Sequence, residues 1–256
     1  MRVAFVTGGG RGLGRAIALA LGREGMAVAV AARTLAAVEA TAADVGIAGA
    51  AATLAVAVDV TERASVEAAI ARTVAALGPV DVLVNNAGIA ESAPFARTTP
   101  ELWERHLRVN VTGPFLTARA VFGGMVERGW GRIINIASLA GLHGSPYVTA
   151  YTTSKHALVG FTRALATEAG GKGVTVNAIC PGYAATDMVW NGARNVSART
   201  GRSFEDAVAT IARLNPGGRL IEPGEVADEV LRLVGDDTIN GEAVVLDGSA
   251  PRRRTP

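Results

Sequence analysis

The sequence predicts an α/β domain built on a doubly wound parallel sheet of seven strands with helices on both faces, and three observations predict it. Short apolar runs such as residues 3–7 and 27–31 show no alternation with polar residues, the pattern of strands buried on both faces. Stretches of helical pattern follow most of these runs, giving parallel strands the crossovers they require. The first run also ends in Gly8-Gly9-Gly10-Arg11-Gly12-Leu13-Gly14 and continues as a helix, a turn that lets backbone N–H groups face an anion.

Composition narrows the class. A chain of 256 residues, 49% apolar and 19% charged, can bury a large core and is not disordered. No linker interrupts residues 1–256, so one domain is expected. The net charge is only +2 and the basic residues are scattered apart from Arg252-Arg253-Arg254, too little for a nucleic-acid footprint. Cys180 is the only cysteine, which rules out an internal disulfide. His106, His143 and His156 lack metal-ligand spacing, so no metal is expected. An apolar strand already begins at residue 3, too early for the charged start of a signal peptide, so none is expected. No apolar run approaches the ~18 residues of a membrane span, and a cytoplasmic protein without membrane or nucleic-acid partners is expected.

Taken in order, the first strand covers residues 3–7, and its helix runs on from Arg15. The strict Gly-x-Gly-x-x-Gly pattern is absent, since Leu13 interrupts it; Thr7-Gly8 followed by Gly12 and Gly14 stands instead. The second strand, 27–31, is followed by Ala32 and Arg33, where a dinucleotide site that binds a bare ribose would carry an acid. A cation there, with Arg11 in the glycine loop, suits the 2′-phosphate of NADP(H) over NAD(H); both arginines would equally serve as solvated surface residues. The third strand, 54–58, ends at Asp59, whose carboxylate suits an adenine amino group. Thr61 is expected to cap the helix that runs to Leu77. The fourth strand, 80–84, leads into Asn85-Asn86-Ala87-Gly88, where amides can fix a cofactor edge and hold the neighbouring loop, or form a generic turn.

Pro100 opens a helix that is expected to reach Asn110. The fifth strand, 131–137, ends at Ser138, whose hydroxyl can donate to a substrate oxygen from the carboxyl edge of the sheet. Tyr151 and Lys155 then lie four apart on one helix, so a phenol and an ammonium share a face. A neighbouring cation favours phenolate, which would lower the tyrosine pKa toward neutrality for acid–base work. By itself the same spacing also fits a solvated pair. The sixth strand, 174–180, leads to Pro181-Gly182, and Cys180 reads as a small buried hydrophobe. Between 187 and 215 the composition changes: Met188, Val189 and Trp190 suggest an apolar wall, and Arg194, Arg199 and Arg202 a solvated face or a phosphate rim. Pro223 starts a last helix, and residues 244–246 form the seventh strand.

Thr7-Gly8 to Gly14, Asp59, Asn85 to Gly88, Ser138, Tyr151-x-x-x-Lys155 and Pro181-Gly182 follow one another in the order of the short-chain dehydrogenase/reductase family, which the chain resembles over residues 3–248. The resemblance implies a Rossmann-type sheet and hydride exchange between a nicotinamide and a ketone or secondary alcohol. It implies the catalytic set Asn110, Ser138, Tyr151 and Lys155, with Tyr151 as acid or base and Lys155 binding ribose and tuning the phenol. Asn110 would bend its helix and relay protons through water. The implied cofactor set is Gly8, Arg11, Gly12, Leu13, Gly14, Arg33, Asp59, Val60, Asn86, Ala87, Gly88, Tyr151, Lys155, Pro181, Gly182 and Thr186. It also implies a lid at 187–215 and a homotetramer formed through the long helices around Asn110 and Tyr151. Ser249 departs from the paired glycines usual after Asp247, and the tail 250–256 is expected to alter the subunit contact there.

The expected substrate is a small carbonyl or alcohol compound. The helical lid, Asn215-Pro216-Gly217-Gly218-Arg219 and the Tyr-Thr-Thr-Ser-Lys-His setting resemble reductases of 3-oxoacyl thioesters on CoA or carrier protein, or of polyketide and cyclic ketones. A secondary-alcohol, polyol or sugar dehydrogenase is the second reading, and a cofactor-sensing regulator without turnover the third.

Overall fold

The computed structural model describes residues 1–249, so the tail from 250 lies outside the described residues. Seven strands, β1 (Val3–Thr7), β2 (Ala27–Ala32), β3 (Ala52–Ala57), β4 (Val82–Asn85), β5 (Gly131–Ile136), β6 (Val174–Pro181) and β7 (Ala243–Leu246), pair in the order β3-β2-β1-β4-β5-β6-β7. Every pairing is parallel. The order reverses between β1 and β4, so the crossovers leave on opposite faces there and open a crevice at the carboxyl ends of these strands.

Successive side chains of a strand point to opposite faces, and the core divides accordingly. Ala4, Val6, Val82 and Val84 pack against α1 (Gly12–Arg23), α2 (Leu35–Ile47) and α9 (Pro223–Gly235) through Ile17, Leu21, Val38 and Leu233. Phe5, Leu83 and Ile133 face α3 (Arg63–Leu77), α5 (Gly113–Glu127) and α6 (Thr149–Ala169) through Val66, Met125 and Ala166. Both faces are covered, which is why the strands read as continuous apolar runs. Each fully buried aliphatic side chain contributes about 1.5–3 kcal/mol.

Several local expectations shift. The fourth strand starts at Val82 and extends to Asn85, because Asn85 pairs in register with Asn135 of β5 and donates to its side-chain oxygen at 2.9 Å. Thr61 does not cap α3. Its hydroxyl is drawn to Asp59 Oδ1 at 2.8 Å, and Glu62 occupies the cap position without a side-chain bond. The helix from Pro100 ends at Leu107 as α4 and widens into a π-helical turn, Arg108–Thr112, with Asn110 at its middle. The segment 187–215 holds α7 (Asp187–Thr200) and α8 (Phe204–Ala212), separated by Gly201 at φ 72°.

Candidate active site

The glycine loop is shaped by contacts no local pattern shows. Gly8 (φ 65°) and Gly12 (φ 52°) adopt left-handed conformations that favour glycine. A Cβ on Gly14 would stand 2.3 Å from the Gly8 carbonyl oxygen and 2.4 Å from Asn86 Nδ2, so only glycine lets α1 approach β4 this closely. Asn86 is spent on this loop: its Nδ2 donates to the carbonyls of Thr7 (2.9 Å) and Gly8 (3.1 Å). The Thr7 hydroxyl accepts in return from the Asn86 and Ala87 amides, each at 3.0 Å. Arg11 is extended and offers no side-chain cap, so the amino end of α1 keeps free N–H groups toward the crevice.

The nucleotide end of the crevice lies at β2 and β3. Asp59 Oδ1 accepts from the Thr61 amide (2.9 Å) and hydroxyl, and these bonds, with the Arg33 and Arg108 cations nearby, hold its carboxyl below the usual range. Arg33, which follows β2, is thus within electrostatic reach of Asp59 beyond the end of the neighbouring β3. Arg11 lies on the surface, 3.8 Å from Asp187 at the start of α7, an exposed pair of little energetic weight. Val60 lies behind Gly113, where a Cβ would come 3.0 Å from Val60 Cγ2. Leu13 packs against the core from the glycine loop. Thr186 sits across from the loop, its methyl 3.4 Å from where a Gly12 Cβ would be. Pro181 closes β6, and Gly182 donates to the Leu246 carbonyl at 2.8 Å.

Tyr151, Lys155, Ser138 and Asn110 meet at the carboxyl ends of β4 and β5. Lys155 is 5% exposed, and its Nζ donates to the Ile136 carbonyl at 2.8 Å and stands 5.9 Å from the Tyr151 ring centre. Burial pulls this ammonium down to about 8. Asn110 is fully buried in the π turn: its Oδ1 accepts from the Ile89 amide and its Nδ2 donates to the Ile89 carbonyl and to Ser154 Oγ, all at 2.9 Å. A Cβ on Gly88 would lie 3.2 Å from Asn110 Oδ1 and 3.6 Å from Lys155 Nζ, so glycine leaves the two side chains room to converge. Ser138 starts a 3₁₀ turn, accepting from the Ala140 amide at 3.1 Å.

The expected lowering of the tyrosine pKa is corrected by this geometry. Burial of the phenol pushes Tyr151 above its ordinary value, and the hydrogen bond with Ser138 opposes that only in part; the neighbouring Tyr183 and Cys180 add to the rise. Desolvation leads the influences on the phenol, and the ammonium four residues away, which donates to the Ile136 carbonyl, is not among them. The apolar wall at 188–190 is also corrected. Val189 is buried and Trp190 packs on Phe204 with ring centres 6.3 Å apart, leaving Met188 exposed. Their helix turns those two residues inward, against the rest of the segment 187–215.

Thr117, Asn135 and Thr162 carried no sequence signal strong enough to single them out, whereas Asn85 and Asn215 stood out only as members of longer motifs. Thr117, Asn85, Asn135 and Thr162 form a buried chain of side-chain hydrogen bonds of 2.6 to 2.9 Å beneath the site, joining α5, β4, β5 and α6. Asn215, at the end of the segment 187–215, binds both backbone groups of Tyr183 and the Arg219 carbonyl, and a Cβ on Gly182 would strike it at 2.2 Å. Polar residues inside otherwise apolar strands, as at Asn135, were the available hint. Among the described residues no group of three His, Cys, Asp or Glu side chains is placed to hold a metal, and no helix is long and apolar enough to cross a membrane.

A glycine loop at the topological switch point, with a tyrosine, a lysine, a serine and an asparagine gathered at the same edge, defines an oxidoreductase of the dinucleotide-binding class. The chain belongs to the short chain dehydrogenase family, which matches residues 2–196. It is 40% identical over 252 residues to the acetoacetyl-CoA reductase of Shinella zoogloeoides, covering 96% of this chain and 97% of that protein. It is 38% identical to the 3-oxoacyl-[acyl-carrier-protein] reductase of Synechocystis sp., covering 96% of each. Among solved structures, a variant of the actinorhodin polyketide ketoreductase crystallised with NADPH superposes with a TM-score of 0.92 at 40% identity, again covering 96% of each chain.

Proposed function

We propose that this protein is an NADPH-dependent ketoreductase that reduces 3-oxoacyl thioesters on CoA or carrier protein, or related polyketide and cyclic ketones. The convergence of Ser138, Tyr151 and Lys155 on one point of the crevice carries this reading. Kinship with the acetoacetyl-CoA reductase and with the NADPH-bound ketoreductase supports the substrate class and the cofactor. We also read the chain as one domain with a lid at 187–215, acting in the cytoplasm.

The residues fit a dinucleotide. Gly8, Gly12 and Gly14 with the open amino end of α1 would hold the pyrophosphate, Asp59 and Val60 the adenine, and Arg33 with Arg11 a 2′-phosphate. Gly88, Pro181, Gly182, Thr186 and Lys155 would hold the nicotinamide half. When bound, the cofactor supplies the hydride. Tyr151, kept protonated by its burial, donates its proton to the ketone oxygen as charge develops there. Ser138 donates a hydrogen bond to the same oxygen. Lys155, a cation at neutral pH, stabilises the phenolate that remains, and the Asn110 turn returns a proton from solvent.

Segments leaving the carboxyl ends of β4, β5 and β6 expose Phe95, Tyr147, Tyr183 and Met188. These apolar side chains suit an acyl or polyketide chain better than a polyol. Assembly as a homotetramer through α5 and α6 is supported by Phe115, which is 44% exposed on the outer face of α5 and meets Phe161 edge to face. The test is oxidation of NADPH, followed against NADH, with acetoacetyl-CoA. Turnover with NADPH that is lost in Tyr151→Phe, with NADPH binding kept, is the expected result. An unaltered rate in Tyr151→Phe overturns the assignment of the acid, and no turnover in a protein that binds NADPH overturns the thioester.

A further inference from the structure

His106 lies four residues before Asn110, and the α4 helix with its π turn brings both onto the face that meets the loop after β4. Both are fully buried. Asn110 holds Ile89 by its amide and its carbonyl. His106 holds the next point along: its Nε2 accepts from the Glu91 amide at 3.1 Å, while its Nδ1 bonds to the Leu102 carbonyl at 2.8 Å. A carbonyl can only accept, so the ring proton sits on Nδ1 and Nε2 keeps its lone pair for Glu91. The same ring meets the Tyr151 ring in a T-shaped contact, centres 6.4 Å apart and planes at 73°. From outside, Arg105 binds the Glu91 carboxylate at 2.7 Å. The loop is tied further on as well, where the Ala93 amide donates to the carbonyl of Tyr147, a residue held at φ 67°.

We propose that His106 is a positioning residue that fixes residues 89–91 as a wall of the substrate cleft and holds the Tyr151 ring against that wall. An apolar residue of similar size would fill the space just as well. What an apolar residue lacks is an acceptor for the Glu91 N–H, and a part-buried donor without its partner turns to water and releases the loop. Residue 91 is three past Gly88, which itself stands beside Asn110 and Lys155, so displacement of this loop changes where a ketone sits relative to the phenol. The imidazole thus couples substrate placement to the acid without touching either reacting atom. This inference rests on the reading of Tyr151 as the acid.

The test compares wild type with His106→Phe, which keeps the ring contact and removes the acceptor, and with His106→Gln, whose amide oxygen reaches the Nε2 position. Three quantities are read: hydrogen exchange at the Glu91 amide by NMR, NADPH affinity, and kcat/KM with the enantiomer ratio of the alcohol formed from acetoacetyl-CoA. In His106→Phe, Glu91 exchange is expected to quicken by about tenfold or more. Catalytic efficiency is expected to fall by up to about 100-fold with a changed enantiomer ratio, while NADPH affinity stays within about twofold. His106→Gln restores exchange protection and most of the rate. A residue needed only for stability would lower the melting temperature and leave the enantiomer ratio alone. Wild-type exchange in His106→Phe, or a glutamine variant no better than phenylalanine, overturns the proposal. If the phenylalanine variant does not fold, His106→Asn, which keeps a donor for Leu102 but falls short of Glu91, takes its place. Wild-type protein that binds NADPH yet leaves acetoacetyl-CoA untouched overturns the thioester reading alone, and Glu91 exchange in the variants then decides the role of His106.

Discussion

Ser154 bridges Asn110 and Tyr151: its hydroxyl accepts from Asn110 Nδ2 at 2.9 Å and donates to the Tyr151 carbonyl at 2.7 Å. The π turn that carries Asn110 is thereby pinned to the first turn of α6, three residues from the phenol. Replacing Ser154 with Ala leaves the buried Asn110 amide with one acceptor fewer, at a cost of about 1–3 kcal/mol. An unfolding free energy lowered by that amount in urea titration, with kcat reduced more than NADPH affinity, is expected. Unchanged kcat would mean that this bridge serves stability only.

Arg33 follows the end of β2 and reaches the field of Asp59. Arg33→Ala should weaken NADPH binding by about tenfold or more and leave NADH nearly unaffected, since only the former carries a 2′-phosphate. Titration of both cofactors by fluorescence checks this, and equal weakening of both would refute it.

Gly14 stands where α1 touches the glycine loop and Asn86. The added methyl of Gly14→Ala meets the Gly8 backbone at 2.3 Å and Asn86 Nδ2 at 2.4 Å, and that side-chain end is itself held by the Thr7 and Gly8 carbonyls. The loop must move, and loss of NADPH binding is expected in a protein whose far-ultraviolet circular dichroism is retained.

Lys155 titrates at about 8 in the fold and near the ordinary lysine value when unfolded. Between those values the unfolded chain holds more protons than the folded one, so the destabilisation caused by burying this ammonium shrinks as pH rises from about 8. The stability advantage of Lys155→Met over wild type should narrow as pH rises from about 8 toward about 10, measured by urea unfolding. Reduction by the wild-type enzyme should decline through the same pH region, because the cation beside Tyr151 is lost.

Much of this molecule is legible in its sequence. Uninterrupted apolar runs meant strands covered on both faces, since a strand exposed on one side would alternate. The Tyr151–Lys155 spacing meant one helix face, and the glycines around Gly12 meant a turn into a helix amino end. These features are local, and local spacing carries them. What the sequence could not decide was set across long separations. The tertiary fold placed β4 beside β1, so that Asn86 reaches Thr7 and Gly8 some 78 residues away in the chain. It drew Thr61 to Asp59 instead of α3, turned Val189 inward and Trp190 onto Phe204, and brought His106 against Tyr151. It also raised the tyrosine pKa that the neighbouring lysine was expected to lower, because desolvation depends on everything packed around a phenol, and helix spacing registers only the residue four places on.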